Sequence, residues 1–232
     1  MIAGAAVVAL ALGLLRAGGA PKDAEYAARW DPSAGGPATS AEVLARLGLA
    51  ASSAGTACEI RYYDLPSPDG APRGAVVILR RRVCDDGTAE IRLKYRAVRP
   101  LDAWACPAGL GFSASSEVDV GLGAEAPSRV DAYACTLSAG APPPVLHAVA
   151  KPCASRMTRV SARTAGGGHL KVEDWILPGG ARRLEVSQKG RDDVDALAAF
   201  LRVVERLRET GARFLEESKT ELGSRCPEGA AR

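Results

Sequence analysis

Alternation between apolar and polar residues over much of the chain indicates β-strands. Between residues 89 and 98, three apolar and three cationic side chains fall on opposite faces of a strand: Ile91, Leu93 and Tyr95 against Arg92, Lys94 and Arg96. A repeat of two residues is typical of a strand with two different faces. The same pattern, bounded by turn residues, predicts about nine strands, at residues 23–30, 58–64, 74–83, 89–98, 112–120, 129–137, 156–163, 170–177 and 182–189.

Two segments have the pattern of amphipathic helices instead. Thr39 and Glu42 have the spacing of a capping box, and Gly48 stops that helix. The second helix begins at Asp192 or Asp193, and we expect it to continue as far as residue 222. Successive hairpins favour a meander or barrel. We therefore predict one α+β domain over residues 21–232, which ends in a helix.

Residues 2–15 are an uncharged apolar run, followed by small residues. A membrane-spanning helix needs about 20 apolar residues, so a run this short is typical of a signal peptide. We predict that residues 1–20 are a signal peptide or an N-terminal anchor. The protein is then exported, to the periplasm or outside the cell, with no membrane span in its mature form unless the leader is retained.

Composition narrows the class of protein. The chain has 232 residues, 47% of them hydrophobic and 25% charged, with a formal net charge of +3. These values exclude a disordered tail and a polytopic membrane protein. The charge is too small to favour nucleic acid as a partner, since nucleic-acid-binding domains usually have an isoelectric point above about 9.

The six cysteines all lie beyond the predicted leader, and no two have the C-x-x-C spacing of a metal or redox motif. In an exported protein the expected state is disulfide bonding. Six cysteines allow fifteen connectivities. One pair is indicated by hairpin register, because a hairpin centred near residue 71 places Cys58 opposite Cys84.

Three segments, in this order, carry a resemblance to a known family. They are Tyr62-Tyr63-Asp64-Leu65-Pro66, Leu79-Arg80-Arg81-Arg82 and Glu90-Ile91-Arg92-Leu93-Lys94-Tyr95-Arg96. They resemble the Y-[YF]-D-T-P, L-R-x-R and T-x-K strands of the CYTH superfamily. These are the triphosphate tunnel metalloenzymes, which include inorganic triphosphatases, thiamine triphosphatases and class IV adenylate cyclases. The resemblance covers roughly residues 23–210 and implies an antiparallel eight-stranded tunnel with flanking helices.

The resemblance also implies a site inside that tunnel. Its phosphate-binding residues would be Arg80, Arg82, Arg92, Lys94 and Arg96. Its metal ligands, for Mg²⁺ or Mn²⁺, would be Glu25, Asp174 and Glu185. In such a tunnel, cations bind phosphate oxygens and carboxylates hold a divalent metal.

The acidic motifs of the family are incomplete in this chain. Its first strand, E-x-E-x-K, is matched by Glu25, Ala27 and Arg29, and its last, E-x-E, by Glu185 and Ser187. Each change removes a carboxylate from the metal site. We therefore expect reduced or no metal-dependent phosphohydrolase activity.

Several alternatives remain open at this point. The cationic face at residues 92–96 either lines a tunnel or faces solvent, and Glu117 and Asp119 either hold metal or pair with cations.

The first hypothesis for function is an exported protein that binds a phosphorylated small molecule or polyphosphate. The second is a non-catalytic cell-envelope protein that kept the barrel and lost the ligand. A third is an apolar-ligand carrier, which needs inward-facing Ile, Val and Leu. Whether the charged residues converge on one cavity distinguishes them, and the oligomeric state is not predicted.

Overall fold

A computed structural model describes residues 23–66, 76–97, 105–124, 127–164 and 166–228. The predicted signal peptide or anchor, residues 1–20, lies outside the described residues. Ten strands are described: β1 Asp23–Trp30, β2 Thr56–Asp64, β3 Val76–Cys84, β4 Ala89–Ala97, β5 Ser113–Leu122, β6 Pro127–Leu137, β7 Val149–Ala150, β8 Ser155–Arg163, β9 His169–Ile176 and β10 Arg182–Arg191. The helices are α1 Ser40–Leu47, α2 Val194–Arg208 and α3 Lys219–Ser224, with 3₁₀ turns at Pro32–Ala34 and Pro144–Leu146.

Nine of these strands close into a barrel. Their order is β3-β4-β6-β5-β1-β10-β9-β8-β2, and β2 closes the ring by pairing with β3. The short strand β7 lies outside the ring and pairs with β2. Neighbouring strands are antiparallel except β1 and β5, which run parallel.

The expectation of eight antiparallel strands is wrong. A closed ring of strands that alternate in direction must contain an even number, so a ring of nine requires a parallel pair. The β1–β5 contact is that pair, because β1 lies between β5 and β10. Periodicity alone predicts nine strands, and the error came from the family pattern.

The barrel interior has a charged part, lined by the cavity residues, and an apolar part, while the outer faces of its strands carry apolar clusters. On β4, Ile91, Leu93 and Tyr95 point outward into a buried cluster that includes Cys135, while the cationic face points inward. On the opposite wall, α1 and α2 cover the outer faces of β1, β5, β9 and β10 and form the largest apolar cluster. The inward cationic face excludes the solvent-exposed alternative, since the Lys94 side chain is only 9% exposed.

The first helix begins as predicted, with the Thr39 side chain accepting a hydrogen bond from the Glu42 amide and Gly48 in the left-handed conformation. The second helix begins at the predicted Asp193 cap, but it ends at Arg208 instead of continuing to residue 222. Gly211 has φ +92°, and beyond it Phe214 packs edge-on against Trp30. This turn separates α3 from α2 and sends it to a different part of the barrel.

Three disulfides are present: Cys58–Cys84, Cys106–Cys135 and Cys153–Cys226. The first is the pair indicated by hairpin register, because Cys58 and Cys84 are direct partners across β2 and β3. Three disulfides suggest an oxidising, extracytoplasmic environment. Within the described ranges, none of the helices has the length and apolar character needed to cross a membrane.

Candidate functional site

The barrel encloses a cavity of about 210 Å³ with a strongly cationic lining. Nine cationic side chains line it: Arg80, Arg82, Arg92, Lys94, Arg96, Arg159, Lys171, Lys189 and Lys219. The remaining lining residues are the carboxylates Glu25, Glu90 and Glu173, together with Ile78 and Thr220. The chemistry of this lining suits an anion better than an apolar molecule.

All five residues predicted to bind phosphate reach this cavity. They come from the neighbouring strands β3 and β4, whose register places Arg80 opposite Arg92. Side chains two residues apart share one face of a strand, so Arg82, Lys94 and Arg96 point the same way. The structure thus brings the predicted set together on one wall.

Sequence reasoning missed four cations on the other walls. Arg159, Lys171 and Lys189 come from β8, β9 and β10. The sequence could have indicated Lys189. It lies four residues after Glu185, and residues an even number of positions apart share one face of a strand. No local pattern predicts that Lys219 reaches the cavity, because it lies on α3, and the position of α3 depends on long-range packing.

One group of charges, which we name the Glu117 cluster, comprises Glu117, Asp119, Arg92, Lys94, Arg96 and Lys189. Arg92 and Lys94 donate to Glu117 Oε1 at 2.9 and 3.0 Å, and Lys189 donates to Oε2 of the same carboxylate at 2.6 Å. Lys94 also donates to Asp119 Oδ1 at 2.8 Å, and Arg96 donates to Oδ2 at 2.7 Å. Four cations thus share two carboxylates.

These contacts control the protonation of the cluster. Burial alone would raise the pKa of Glu117, but Lys94, Lys189 and Arg92 outweigh it and lower that pKa to about 2. Burial likewise opposes ionisation of Asp119, and Lys94 and Arg96 bring its pKa below the ordinary value. Both carboxylates are ionised at neutral pH and serve as counter-ions to the cationic wall.

A second group, the Glu173 cluster, comprises Glu173, Glu185, Arg29, Arg159 and Lys219. Lys219 Nζ lies 2.9 Å from Glu173 Oε2 and 2.7 Å from Glu185 Oε1. Arg159 donates twice to Glu173 Oε1, at 2.7 and 2.9 Å, and Arg29 donates to Glu185 Oε2 at 2.6 Å. Each oxygen of the two carboxylates therefore accepts a hydrogen bond from a cation.

The pKa values of this cluster move in the direction that favours ion pairing. Burial raises the pKa of Glu173, but Lys219 and Arg159 have the larger combined effect and hold it well below its ordinary range. Burial lowers the pKa of Lys219, whereas Glu173 and Glu185 raise it above its ordinary value. The carboxylates of this cluster therefore stay ionised and paired with its cations.

The three predicted metal ligands do not come together. Glu25 lines the cavity, and Glu185 is buried but its oxygens are occupied by Arg29 and Lys219. Asp174 lies on the opposite face of β9 from the cavity and pairs with Arg182. The acid of β9 that faces the cavity is the preceding residue, Glu173. The prediction of an inward-facing Asp174 is therefore off by one residue.

A different set of carboxylates meets the geometric requirement for a metal. Oxygen atoms of Glu25, Glu117 and Asp119 lie within 4.8 Å of one another. Oxygen ligands of this kind suit Mg²⁺ or Mn²⁺. Lys94 already contacts Glu117 and Asp119, however, so a divalent cation would compete with its ammonium group.

The two carboxylates that this chain lacks relative to the family pattern belong to a single place in the barrel. Ala27 and Ser187 are direct partners across β1 and β10. Both are buried, beside Arg29 and its partner Glu185. This position lies between the Glu25–Lys189 pair and the Arg29–Glu185 pair, so acidic side chains here would stand between the two clusters.

Two cations of the cavity, Lys171 and Arg80, have no short ion pair among the described residues. Lys171 forms no hydrogen bond or ion pair among the described residues, and burial with Arg159 nearby lowers its pKa. The closest ion pair of Arg80 is with Glu90, at 3.6 Å. These two side chains have donors that are free for a bound anion.

Comparison with known proteins gives the fold. No protein-family model and no curated protein matches the chain. A solved structure of HpAC1 from Hippeastrum, described as an adenylyl cyclase with a dominant triphosphatase activity, is similar with a TM-score of 0.53 and 16% identity, over 90% of this chain and 99% of that one. A protein from Vibrio parahaemolyticus described as an adenylate cyclase has a TM-score of 0.48 at 13% identity, over 88% and 99% of the two chains. A conserved hypothetical protein from Pyrococcus furiosus has a TM-score of 0.47 at 10% identity, over 86% and 99%. The likeness to the Hippeastrum protein, at 16% identity, shows a shared fold.

Proposed function

We propose that this protein is exported and binds a phosphorylated polyanion, triphosphate or polyphosphate, in its basic barrel. The observation that carries the proposal is the cavity lining, in which cations outnumber carboxylates by nine to three. The fold that it shares with a protein described as having triphosphatase activity supports the same class of ligand.

Charge balance strengthens the argument. The cavity lining and the two clusters together contain ten cations and six carboxylates. Uncompensated charge in a partly buried space is costly, because the low local dielectric strengthens repulsion. A polyanion would neutralise the excess of four positive charges. Arginine suits this ligand because its guanidinium group binds phosphate oxygens in pairs.

We propose Mg²⁺ or Mn²⁺ as the accompanying cation, held by Glu25 with Glu117 and Asp119. When bound, such an ion would polarise a phosphoryl group and neutralise its charge. Glu185 is available only if Arg29 and Lys219 release it, and Lys94 competes for the other oxygens. This competition supports the expectation of reduced or no phosphohydrolase activity.

The binding proposal is tested by calorimetric titration of the leaderless, disulfide-bonded protein with tripolyphosphate and with polyphosphate. Lys171→Met removes an ammonium group that has no ion-pair partner in the part of the chain that the structure describes, and it takes no direct partner from a buried carboxylate there. We expect it to weaken tripolyphosphate binding by about tenfold to a hundredfold, the value of one charge-assisted hydrogen bond. Phosphate release with Mg²⁺ and with Mn²⁺ measures hydrolysis in parallel.

The matched control is Lys151→Met, because Lys151 pairs with Asp64 away from the cavity. It should bind tripolyphosphate like the unmodified protein. Arg92 and Lys94 are poorer probes, since their removal would leave Glu117 and Asp119 short of partners. Absence of binding in the unmodified protein, or equal losses in both methionine variants, would reject the proposal.

A second candidate is a cell-envelope protein that kept the barrel and lost the ligand. The observation that favours it is an apolar cluster inside one part of the barrel, where Ile60, Tyr62, Met157 and Trp175 pack together with Leu222 of α3. If this is the function, the protein binds neither tripolyphosphate nor polyphosphate. The third hypothesis, an apolar-ligand carrier, is not supported, because the described lining of the cavity includes one aliphatic side chain, Ile78.

A further inference from the structure

The short helix α3 packs one side against the barrel interior, where Gly223 is buried, and leaves Glu221 exposed on the other side. Gly223 is buried so closely against Tyr62 and Ser155 that an added Cβ would lie 2.9 Å from the Tyr62 ring and 3.2 Å from Ser155 Oγ. Leu222 packs on the interior apolar cluster, and Thr220 lines the cavity. One side of the helix thus packs on inward-facing side chains of the paired strands β2 and β8.

Lys219, the first residue of α3, anchors the helix to the adjoining strands β9 and β10. Its ammonium group bridges Glu173 on β9 and Glu185 on β10, and it lies 5.7 Å from the centre of the Trp175 ring. A cation that bridges two buried carboxylates neutralises charge that would otherwise be costly to bury. The chain therefore supplies its own cation here.

A disulfide fastens the other end of the helix. Cys226 follows the last residue of α3 by two positions and is bonded to Cys153, two residues before the start of β8. The bond closes a loop with a sequence separation of 73 residues. Closing a loop of this length removes much of the conformational freedom of the detached segment.

The packing beneath α3 also contains unsatisfied groups. The Tyr62 hydroxyl and Ser155 Oγ are buried without a hydrogen-bond partner among the described residues. Burying a hydroxyl without a partner opposes the closed position. The disulfide and the ion pairs of Lys219 act against this cost, so the closed position depends on them.

We infer that residues 218–226 are a plug, held in the barrel by Cys153–Cys226. Two equivalents of an external thiol reduce this bond, becoming a disulfide themselves while Cys153 and Cys226 become free thiols, and the reduction releases the plug. Release would withdraw Lys219 from Glu173 and Glu185 and give the Tyr62 and Ser155 hydroxyls access to water. A consequence that rests on the proposed function is ligand size. The plugged barrel takes short polyanions, and the opened one also accepts longer chains.

The plug is tested without any ligand, by hydrogen exchange with mass spectrometry. Replacing Cys153 and Cys226 with serine should speed amide exchange across residues 218–226 by about tenfold or more. Exchange in α2 should stay unchanged. The control replaces Cys106 and Cys135, which should leave residues 218–226 protected. If protection of this segment survives removal of Cys153–Cys226, the inference is overturned.

A second variant covers the case in which the double serine variant fails to fold. Gly223→Val retains the disulfide, but its side chain collides with Tyr62 and pushes α3 outward. It should speed exchange over the same residues, and unchanged exchange would again overturn the plug. Comparing tripolyphosphate with long-chain polyphosphate in the titration then tests ligand size separately. A released plug with no binding of either would reject the proposed function and leave the plug intact.

Discussion

The Glu117 cluster and the Glu173 cluster each hold two carboxylates inside the same barrel, but their cations come from different places. All four cations of the Glu117 cluster stand on barrel strands. In the Glu173 cluster, one of the three cations is Lys219, which reaches in from α3. The first cluster has two more cations than carboxylates, and the second has one.

This difference separates a surface for a ligand from an internal anchor. In the Glu117 cluster the excess charge faces the cavity, where Glu25 stands close to Glu117 and Asp119 without a hydrogen-bond partner of its own among the described residues. Every carboxylate oxygen accepts a hydrogen bond from a cation in both clusters, but in the Glu173 cluster one of those cations is Lys219 of α3. The first arrangement leaves charge for a bound polyanion, and the second holds α3 and the strands together.

The largest expected effect is from Glu173→Gln. Glu173 is 2% exposed, and its removal leaves Lys219 and Arg159 without their main counter-ion. Breaking a buried ion pair from one side costs about 3–5 kcal/mol. We expect that loss in the free energy of unfolding, measured by urea denaturation at neutral pH. A loss below 1 kcal/mol would show that this cluster does not anchor the fold.

The next effect is the acid sensitivity of the Glu117 cluster. The pKa of Glu117 is lowered from 4.5 to about 2 in the folded protein, so its ionised form contributes stability that is present above pH 4.5 and lost as the pH falls towards 2. The shift corresponds to roughly 3 kcal/mol. Glu117→Gln lacks this contribution at every pH.

The measurement is urea denaturation of both proteins between pH 7 and pH 2. The unmodified protein should be more stable than Glu117→Gln by that amount at pH 6, and the difference should shrink towards zero as the pH approaches 2. A difference that does not change with pH would contradict the proposed ion pairing.

Much of this site can be predicted from the sequence, because the alternation of side chains between the two faces of a strand is visible in neighbouring residues. The inward position of Arg92, Lys94 and Arg96 follows from their alternation with apolar neighbours, and the pairing of Cys58 with Cys84 follows from hairpin register. The same alternation does not predict the inward face of strand β9. Glu173 and Asp174 are adjacent acids on opposite faces, and the local pattern allows either of them to face the cavity. Which of the two faces the cavity depends on their ion-pair partners, Lys219 for Glu173 and Arg182 for Asp174. These partners are not part of the local alternation of β9.

The parallel contact of β1 and the position of α3 were unpredictable for the same reason. Strand β1 enters the ring between β5 and β10, which are far from it in sequence. The path to α3 depends on the turn at Gly211 and on the packing of Phe214 against Trp30. Both features depend on long-range contacts rather than on a repeat along the chain.

A gain-of-function variant sharpens the comparison further. Placing aspartate at both Ala27 and Ser187 restores two carboxylates on neighbouring strands, beside Glu185. Additional oxygen ligands should raise Mn²⁺ affinity on the order of tenfold, because affinity for such ions follows the number of charged ligands. Titration followed by manganese electron paramagnetic resonance measures it. The matched control replaces both residues with asparagine, which should give a much smaller gain.

The smallest expected effect on stability is from Glu25→Gln. Glu25 has no hydrogen bond or ion pair among the described residues, so replacing it leaves no cation of the barrel without a direct partner. The free energy of unfolding should change by less than about 0.5 kcal/mol. Its oxygen is nevertheless one of the three that lie within 4.8 Å of one another, so Mn²⁺ binding should weaken markedly. Glu25→Gln and Glu173→Gln make the same chemical change, and opposite effects on metal binding and on stability would show that the two clusters have different roles. Equal losses of stability would show that Glu25 belongs to the structural network, and the division between the two clusters would then fail.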